Sequence, residues 1–372
     1  MSEMPVVSSG SEEKLEDSIA LCLSGGGYRA MLFHLGVLWY LNDAGLLSKI
    51  ARFSSVSGGS VTAATLALHW NELTRDTRGV ATNFTDVVVK AIRKMASTTI
   101  DTPAVLKGVF GPGKPSDRVM KSYDDVLFFK KTLQDLPDSP RFVINATNVQ
   151  TGSLMRFSKP YIADYQVGQI LKPKRPIAEA VAASAAFAPF FSPLRVDFND
   201  AEWTNRGPLG RPPFTTHVFL TDGGVYDNLG LETAWKRCKT VFVSDGGAKM
   251  QPEEEPSAAV VGHLRKIESL TDNQVRSLRK RQVVSSYLAG IRKGTYWGMW
   301  TDPAEYPATS KLSLPSDRAR ELATTPTRLS KMKDDLQERL INFGYGMCER
   351  AIRSYYDPAA LAAAGFPYAR GI

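Results

Sequence analysis

The sequence predicts an α/β protein: a three-layer α/β/α sandwich on a mainly parallel central sheet, with a helical extension at its C-terminal end. Three observations lead there. A short apolar run, a glycine-rich turn and a segment of helical periodicity follow one another twice within residues 18–68. That rhythm marks βα units and a parallel sheet. Later short runs at 141–147, 217–220 and 240–244 read as strands, and the last two lead into Asp-Gly-Gly. Residues 255–355 carry mainly helical spacing.

Taken in order, residues 1–17 form a loose leader. They are polar and acidic, and no basic start with an apolar stretch marks a signal peptide. Residues 18–23 are a strand stopped by Ser24-Gly25-Gly26-Gly27. Its apolar core, residues 19–23, falls far short of the roughly 20 residues a bilayer span needs. Residues 28–42 follow as a helix, with Met31, Leu35, Leu38 and Leu41 three or four apart and Gly45 near its end. A second strand at 52–56 meets Ser57-Gly58-Gly59, and a helix with Val61, Ala64 and Leu68 on its apolar side comes next. The stretch 101–140 is rich in Pro, Gly and Lys and reads as an excursion, with 101–131 as a lid over the cleft. An alanine-rich helix at 177–188 and a helix over 334–355 complete the reading. No boundary marks an independent second domain. Residues 18–250 form the core, and 251–372 pack against it.

The composition suits a full hydrophobic interior: 43% of the 372 residues are hydrophobic and 10% aromatic. Cys22, Cys238 and Cys348 are odd in number and far apart, so they make neither a disulfide framework nor a zinc spacing. This points to a reducing compartment and a soluble, cytoplasmic protein. Forty-six basic residues against 38 acidic ones leave a formal charge of +8, concentrated late in Arg276, Arg279, Lys280, Arg281, Arg292 and Lys293. Such a balance fits an anionic membrane surface or nucleic acid, or else a solvated helix face. No nucleic-acid module accompanies it, so no nucleic-acid partner is expected. Tyr296, Trp297 and Trp300 directly follow the basic stretch; they read as core beneath the helices or as a membrane-interface cluster.

The chemistry lies at the glycine turns, because ligands in parallel sheets bind at the carboxyl ends of strands. Gly25, Gly26 and Gly27 let amide hydrogens point into a cleft, where they suit a bound phosphate or a transient oxyanion. Ala30 breaks the dinucleotide pattern, no acidic ribose partner stands about 20 residues on, and no Gly-Lys-Ser/Thr follows for a P-loop. Ser55-Val56-Ser57-Gly58-Gly59 has the form of a nucleophile elbow, with Ser55 in place of the first glycine. Ser55 and Ser60 are rival nucleophiles, and a simple helix-capping serine is the plain alternative. Asp222-Gly223-Gly224 and Asp245-Gly246-Gly247 each place a carboxylate at a strand end; one of them is a decoy. Of His34, His69, His217 and His263, only His263 lies late enough for a Ser-His-Asp triad, and no turn places it. A serine–aspartate dyad fits better, with the aspartate as general base and the glycine amides receiving the oxyanion.

Ser24-Gly25-Gly26-Gly27-Tyr28-Arg29, then Ser57-Gly58-Gly59, then Asp222-Gly223-Gly224 with Tyr226-Asp227-Asn228, resembles the patatin-like phospholipases and the catalytic core of cytosolic phospholipase A2. Ala146-Thr147-Asn148 with Thr151-Gly152, and Ala183-Ser184-x-Ala186 running on to Pro189 and Pro193, belong to the same resemblance, which covers roughly residues 18–250. The last stretch precedes Asp222 and not Asp245, which selects Asp222. Departures are Ser24, where plant members carry aspartate, and Ser55. The resemblance implies a patatin-like fold and a serine lipid acyl hydrolase that cleaves fatty acyl esters of phospholipids or lysophospholipids. It implies Ser57 as nucleophile, Asp222 as base, an oxyanion hole of Gly25, Gly26 and Gly27, and Arg29 orienting the loop or meeting a lipid phosphate. It further implies no metal or organic cofactor, and a membrane phospholipid substrate met at the bilayer surface by peripheral association. A non-enzymatic lipid-binding scaffold and a nucleotide-phosphate-binding protein are the rival readings. The sequence carries no signal for an oligomer or an activating partner.

Overall fold

A computed structural model of the chain describes residues 15–101, 115–188 and 190–372. The chain opens with β1 (Glu16–Leu23), α1 (Gly27–Asp43), β2 (Ile50–Val56) and α2 (Gly58–Leu68), then α3 (Lys90–Ala96), α4 (Pro115–Tyr123) and β3 (Arg141–Asn148). An antiparallel section follows: β4 (Ser153–Ser158), β5 (Tyr161–Asp164), β6 (Gly168–Leu171), α5 (Ile177–Ser184), β7 (Leu194–Asp197), β8 (Trp203–Thr204) and β9 (His217–Asp222). The chain then forms α6 (Gly224–Asp227), α7 (Glu232–Trp235), β10 (Cys238–Asp245), α8 (Val260–Leu288), β11 (Lys293–Gly298), α9 (Ser316–Ala323) and α10 (Asp334–Tyr355).

These strands make one sheet in the order β11-β10-β1-β2-β3-β4-β5-β6-β8, with β9 also on β3 and β7 on β9. The run from β11 to β3 is parallel, and the pairs beyond it are antiparallel. Side chains of a strand alternate between faces, and β1 and β10 use both. Leu21, Leu23 and Phe242 join one cluster with residues of α1, α2 and α10. Ala20, Cys22, Val241 and Val243 join another with Ala234 of α7 and Val283 of α8. Two buried faces explain the near-continuous apolar runs of the central strands. The α10 helix belongs to the larger cluster, where Phe343 meets Phe33 of α1 edge to face at 5.4 Å.

One feature of the sheet positions the site. β2 runs parallel to β3 and ends with Val56 opposite Asn145. β9 runs antiparallel to β3 along the same edge and ends with Asp222 opposite Ala146, the next residue of β3. The two strands therefore converge end to end, and the residues at their ends are brought face to face.

Several expectations change. The leader is shorter than 1–17, because β1 already begins at Glu16; residues 1–14 lie outside the described residues. Of the expected lid at 101–131, residues 102–114 also lie outside them. The remainder is packed rather than loose, since Val119, Tyr123, Leu127 and Phe128 are buried in the core cluster. The helix expected to reach 188 stops at Ser184. Residues 293–298, read as part of a helical stretch, form the parallel edge strand β11. Trp297 and Met299 are fully enclosed there, so the aromatic cluster is core and not a membrane interface. Arg276 and Arg292 of the basic stretch are buried too, the latter stacked 4.0 Å over Trp235.

Candidate active site

Ser57 stands alone on the turn between β2 and α2, at φ 50° and ψ −120°. A non-glycine residue held there costs about 1–3 kcal/mol, which the surroundings must offset. The turn is held from below: the Ser57 N–H donates to Ser184 Oγ at 2.9 Å, and Ser184 Oγ donates to the Asn145 carbonyl at 2.6 Å. Gly58 must be glycine, because a Cβ there would meet the Gly27 carbonyl at 2.2 Å. The rival serines are part of the support. Ser55 donates to the Val143 carbonyl, and Ser60 Oγ lies 3.0 Å from Ser55 Oγ and 2.9 Å from Ser184 Oγ. Both are closed off from solvent, whereas Ser57 lines a cavity.

Asp222, the last residue of β9, lines the same cavity as Ser57, whose hydroxyl acts on its carboxyl. Its backbone is fixed by the N–H bond to the Ala186 carbonyl at 2.9 Å and by Thr147 Oγ1 donating to its carbonyl at 2.8 Å. Oδ1 accepts the Gly224 N–H at 2.8 Å. Burial raises the carboxyl to about 7, against the pull of the Gly224 amide and the Ser57 hydroxyl, and nearby Asp272 and Glu268 push it further up. A base in that range is matched to proton transfer near neutral pH.

The second Asp-Gly-Gly does different work. Burial pushes Asp245 up, but the Arg276 guanidinium at 3.9 Å, the Tyr296 hydroxyl at 2.7 Å and the Gly247 N–H at 2.9 Å outweigh it. Asp245 is thus held below the ordinary carboxylate range and makes a poor base. Its neighbour Gly246 anchors the glycine loop instead, donating its N–H to Ser24 Oγ at 2.7 Å.

That loop runs Gly25-Gly26-Gly27, with φ 143° at Gly26 and φ 60° at Gly27, which favour glycine. The Gly25 N–H donates to the Asn228 carbonyl at 3.2 Å, so this amide is already committed and Gly25 leaves the expected oxyanion set. Among the described residues, the amides of Gly26 and Gly27 donate to no carbonyl or side chain. Gly27 opens α1, whose N-terminal dipole adds positive potential.

Arg29 lies under the loop, 2% exposed. Its Nε and Nη2 donate to the Gly246 carbonyl at 3.2 and 3.1 Å, and Nη1 donates to the Thr325 carbonyl at 2.6 Å. Of the two roles expected for Arg29, the geometry gives loop orientation and leaves no reach to a lipid phosphate. Burial lowers its guanidinium to about 10. His34 pins the same region, bonded to Ser244 Oγ at 2.8 Å and the Ser24 carbonyl at 3.0 Å, and burial lowers it to about 4, leaving it neutral. Among the described residues, no histidine lines the cavity.

The cavity has a volume of about 420 Å³, within the range of small-molecule sites. Ser57, Asp222 and the three glycines line it; Phe187, Val225, Val275 and Leu329 supply apolar wall, and Glu268, Asp272, Arg276 and Arg328 supply charge. Both arginines are paired with carboxylates, Arg276 near Asp245 and Arg328 with Asp101 at 2.6 Å. The structure thus gathers Ser57, Asp222, Gly26 and Gly27 at one point. Sequence reasoning missed Asn228, Ser184 and the contribution of α8. Asn228 and Ser184 were visible as motif residues without a role; nothing local to 260–288 marks that helix as a cavity wall.

The model of the patatin-like phospholipase family matches residues 21–235, which include both Ser57 and Asp222. No curated protein sequence matches the chain. Among solved structures, human GIVD cytosolic phospholipase A2 is similar at 12% identity and TM-score 0.49 over 91% of this chain and 61% of that one. The same enzyme, in complex with methyl gamma-linolenyl fluorophosphonate inhibitor and terbium chloride, matches at 13% identity and TM-score 0.50, over 90% and 57%. VipD from Legionella pneumophila matches at 15% identity and TM-score 0.39, over 91% and 67%. The chain spans about 60% of the length of the human structures it matches. With a family model that covers more than half its length across both converging strand ends, the chain belongs to the patatin-like phospholipase family.

Proposed function

We propose that this protein is a serine lipid acyl hydrolase that cleaves fatty acyl esters of phospholipids or lysophospholipids through a Ser57–Asp222 dyad. The observation that carries the reading is a strained, cavity-facing serine set in one cavity with a carboxyl raised to about 7. Ser57 Oγ attacks the acyl carbonyl carbon while its proton passes to Asp222. The carbonyl oxygen takes up the electron pair and is met by the Gly26 and Gly27 amides; an essential donor of this kind is typically worth about 3–4 kcal/mol. Collapse expels the glycerol-side alkoxide, which takes the proton back from Asp222. Water, deprotonated by Asp222, then attacks the acyl-enzyme; fatty acid leaves and Ser57 regains its proton. The apolar wall of Phe187, Val225, Val275 and Leu329 receives the acyl chain.

Labelling with an alkyl fluorophosphonate tests this directly. Mass spectrometry should place one phosphonyl adduct on Ser57, and Ser57→Ala should lose both the adduct and hydrolysis of phospholipid esters. Retained hydrolysis in Ser57→Ala would leave the mechanism without its nucleophile. A folded wild-type protein that binds lipid yet neither hydrolyses nor labels would be a scaffold.

A further inference from the structure

We propose that the outward face of α8 docks this protein on an anionic phospholipid bilayer, beside the mouth of the catalytic cavity. The purpose of such docking rests on the lipid hydrolase reading, although the surface itself does not. Val260, Leu264, Ile267 and Leu278 are 73%, 61%, 47% and 58% exposed. At helical spacing these four fall on one line along α8, and the line runs for about 27 Å. The opposite face of the helix is spent on the fold, through Val283 in the core and Arg276 against Asp245. An apolar stripe this long is unusual on a surface that meets only water.

Position and charge decide the occupant. Thr271 and Val275 of the same helix line the cavity, as does Val225, itself 55% exposed. An acyl chain leaving a bilayer held against the stripe would therefore enter the cavity without crossing water. Arg281 stands exposed on the stripe's side of the last turns of α8 and Lys293 just beyond the helix, whereas Lys280 lies on the opposite face over the Tyr296 ring at 4.6 Å. Cations flanking apolar side chains match the negative potential of an anionic leaflet, at about 1 kcal/mol per basic residue near the surface. Glu268 lines the cavity, and the exposed Glu253, Glu254 and Glu255 precede the N-terminal end of the helix, with Glu253 paired to Lys266 at 2.9 Å. Among the described residues, no helix is long and apolar enough to cross a membrane, so the contact is one of lying on the surface.

The test uses the full chain carrying Ser57→Ala, so that vesicles stay intact. Co-sedimentation with phosphatidylcholine vesicles containing about 30 mol% phosphatidylglycerol should show binding about tenfold tighter than to phosphatidylcholine alone. Adding Leu264→Asp, Ile267→Asp and Leu278→Asp should weaken partitioning at least about tenfold, given the apolar area removed from the lipid. Arg281→Glu with Lys293→Glu should abolish the preference for the anionic lipid. None of these residues lines the cavity, so with Ser57 restored each variant should hydrolyse a soluble short-chain ester at the parent rate. Unchanged partitioning of the triple-aspartate variant would overturn the proposal, as would a parent dimer that this variant splits into monomers with no loss on vesicles. Failure of the parent to cleave the soluble ester would instead count against the hydrolase reading and leave the vesicle result standing.

Discussion

In the proposed mechanism Asp222 couples the chemistry to the stability of the fold, and replacing it by asparagine separates the two. Its carboxyl lies at about 7 in the folded protein, chiefly through burial, against 3.8 for the unperturbed group. The folded state therefore holds this proton more tightly than the unfolded chain does. Below about pH 3.8 both states are protonated and the group's favourable contribution is fully present; it is lost progressively as pH rises through 7. Three units correspond to about 4 kcal/mol, an upper bound because the residue lines a cavity open to solvent. For a chain of 372 residues, that is a shift in Tm of about 5 °C. The substituted amide cannot ionise, yet it still offers an oxygen to the Gly224 N–H. Asp222→Asn should match wild type in thermal denaturation near pH 4 and become the more stable protein by up to about 5 °C at pH 8. The wild-type rate of acylation should rise about tenfold per unit below pH 7 and level off above it, because only the carboxylate accepts the serine proton. A Tm difference that does not change between pH 5 and 8 would refute the raised carboxyl and the base built on it.

Three further outcomes follow from the same geometry. Ser57→Gly should abolish labelling while raising stability by about 1 kcal/mol in urea titrations, since glycine relieves the strain at φ 50°. Gly26→Ala places a Cβ 2.7 Å from the Gly246 carbonyl; it should lower kcat by about 10²–10³-fold in ester hydrolysis with little change in KM. Arg29→Lys cannot reproduce donation to two carbonyls on different loops, so it should lower both Tm and kcat. Added phosphate should protect neither protein from labelling, because Arg29 is not a phosphate ligand.

Much of the site was legible in the residues. The glycine turn at 24–27, the elbow at 57 and the strand ends at 222 and 245 all lie where the apolar runs break, because turns demand small residues locally. The choice of Ser57 over Ser55 and Ser60 was not local: only the packing of α5 beneath the turn hides those two hydroxyls in the Ser184 network. The antiparallel section from β4 to β8 escaped because its strands are two to six residues long and give little periodicity to read. Gly25 adjoins Gly26 and Gly27 in the sequence, and only the carbonyl of Asn228, far along the chain, takes up its amide.

The βα rhythm, the serine at a tight turn and the carboxylate that ends a strand each follow from side-chain size and spacing within a few residues. Tertiary structure alone decided that these ends meet. β2 and β9 approach from opposite directions along one edge of β3 and stop at Asn145 and Ala146. Register between strands distant in the chain is set by the burial of whole faces, which no short stretch encodes, and burial in turn raises the Asp222 carboxyl to about 7.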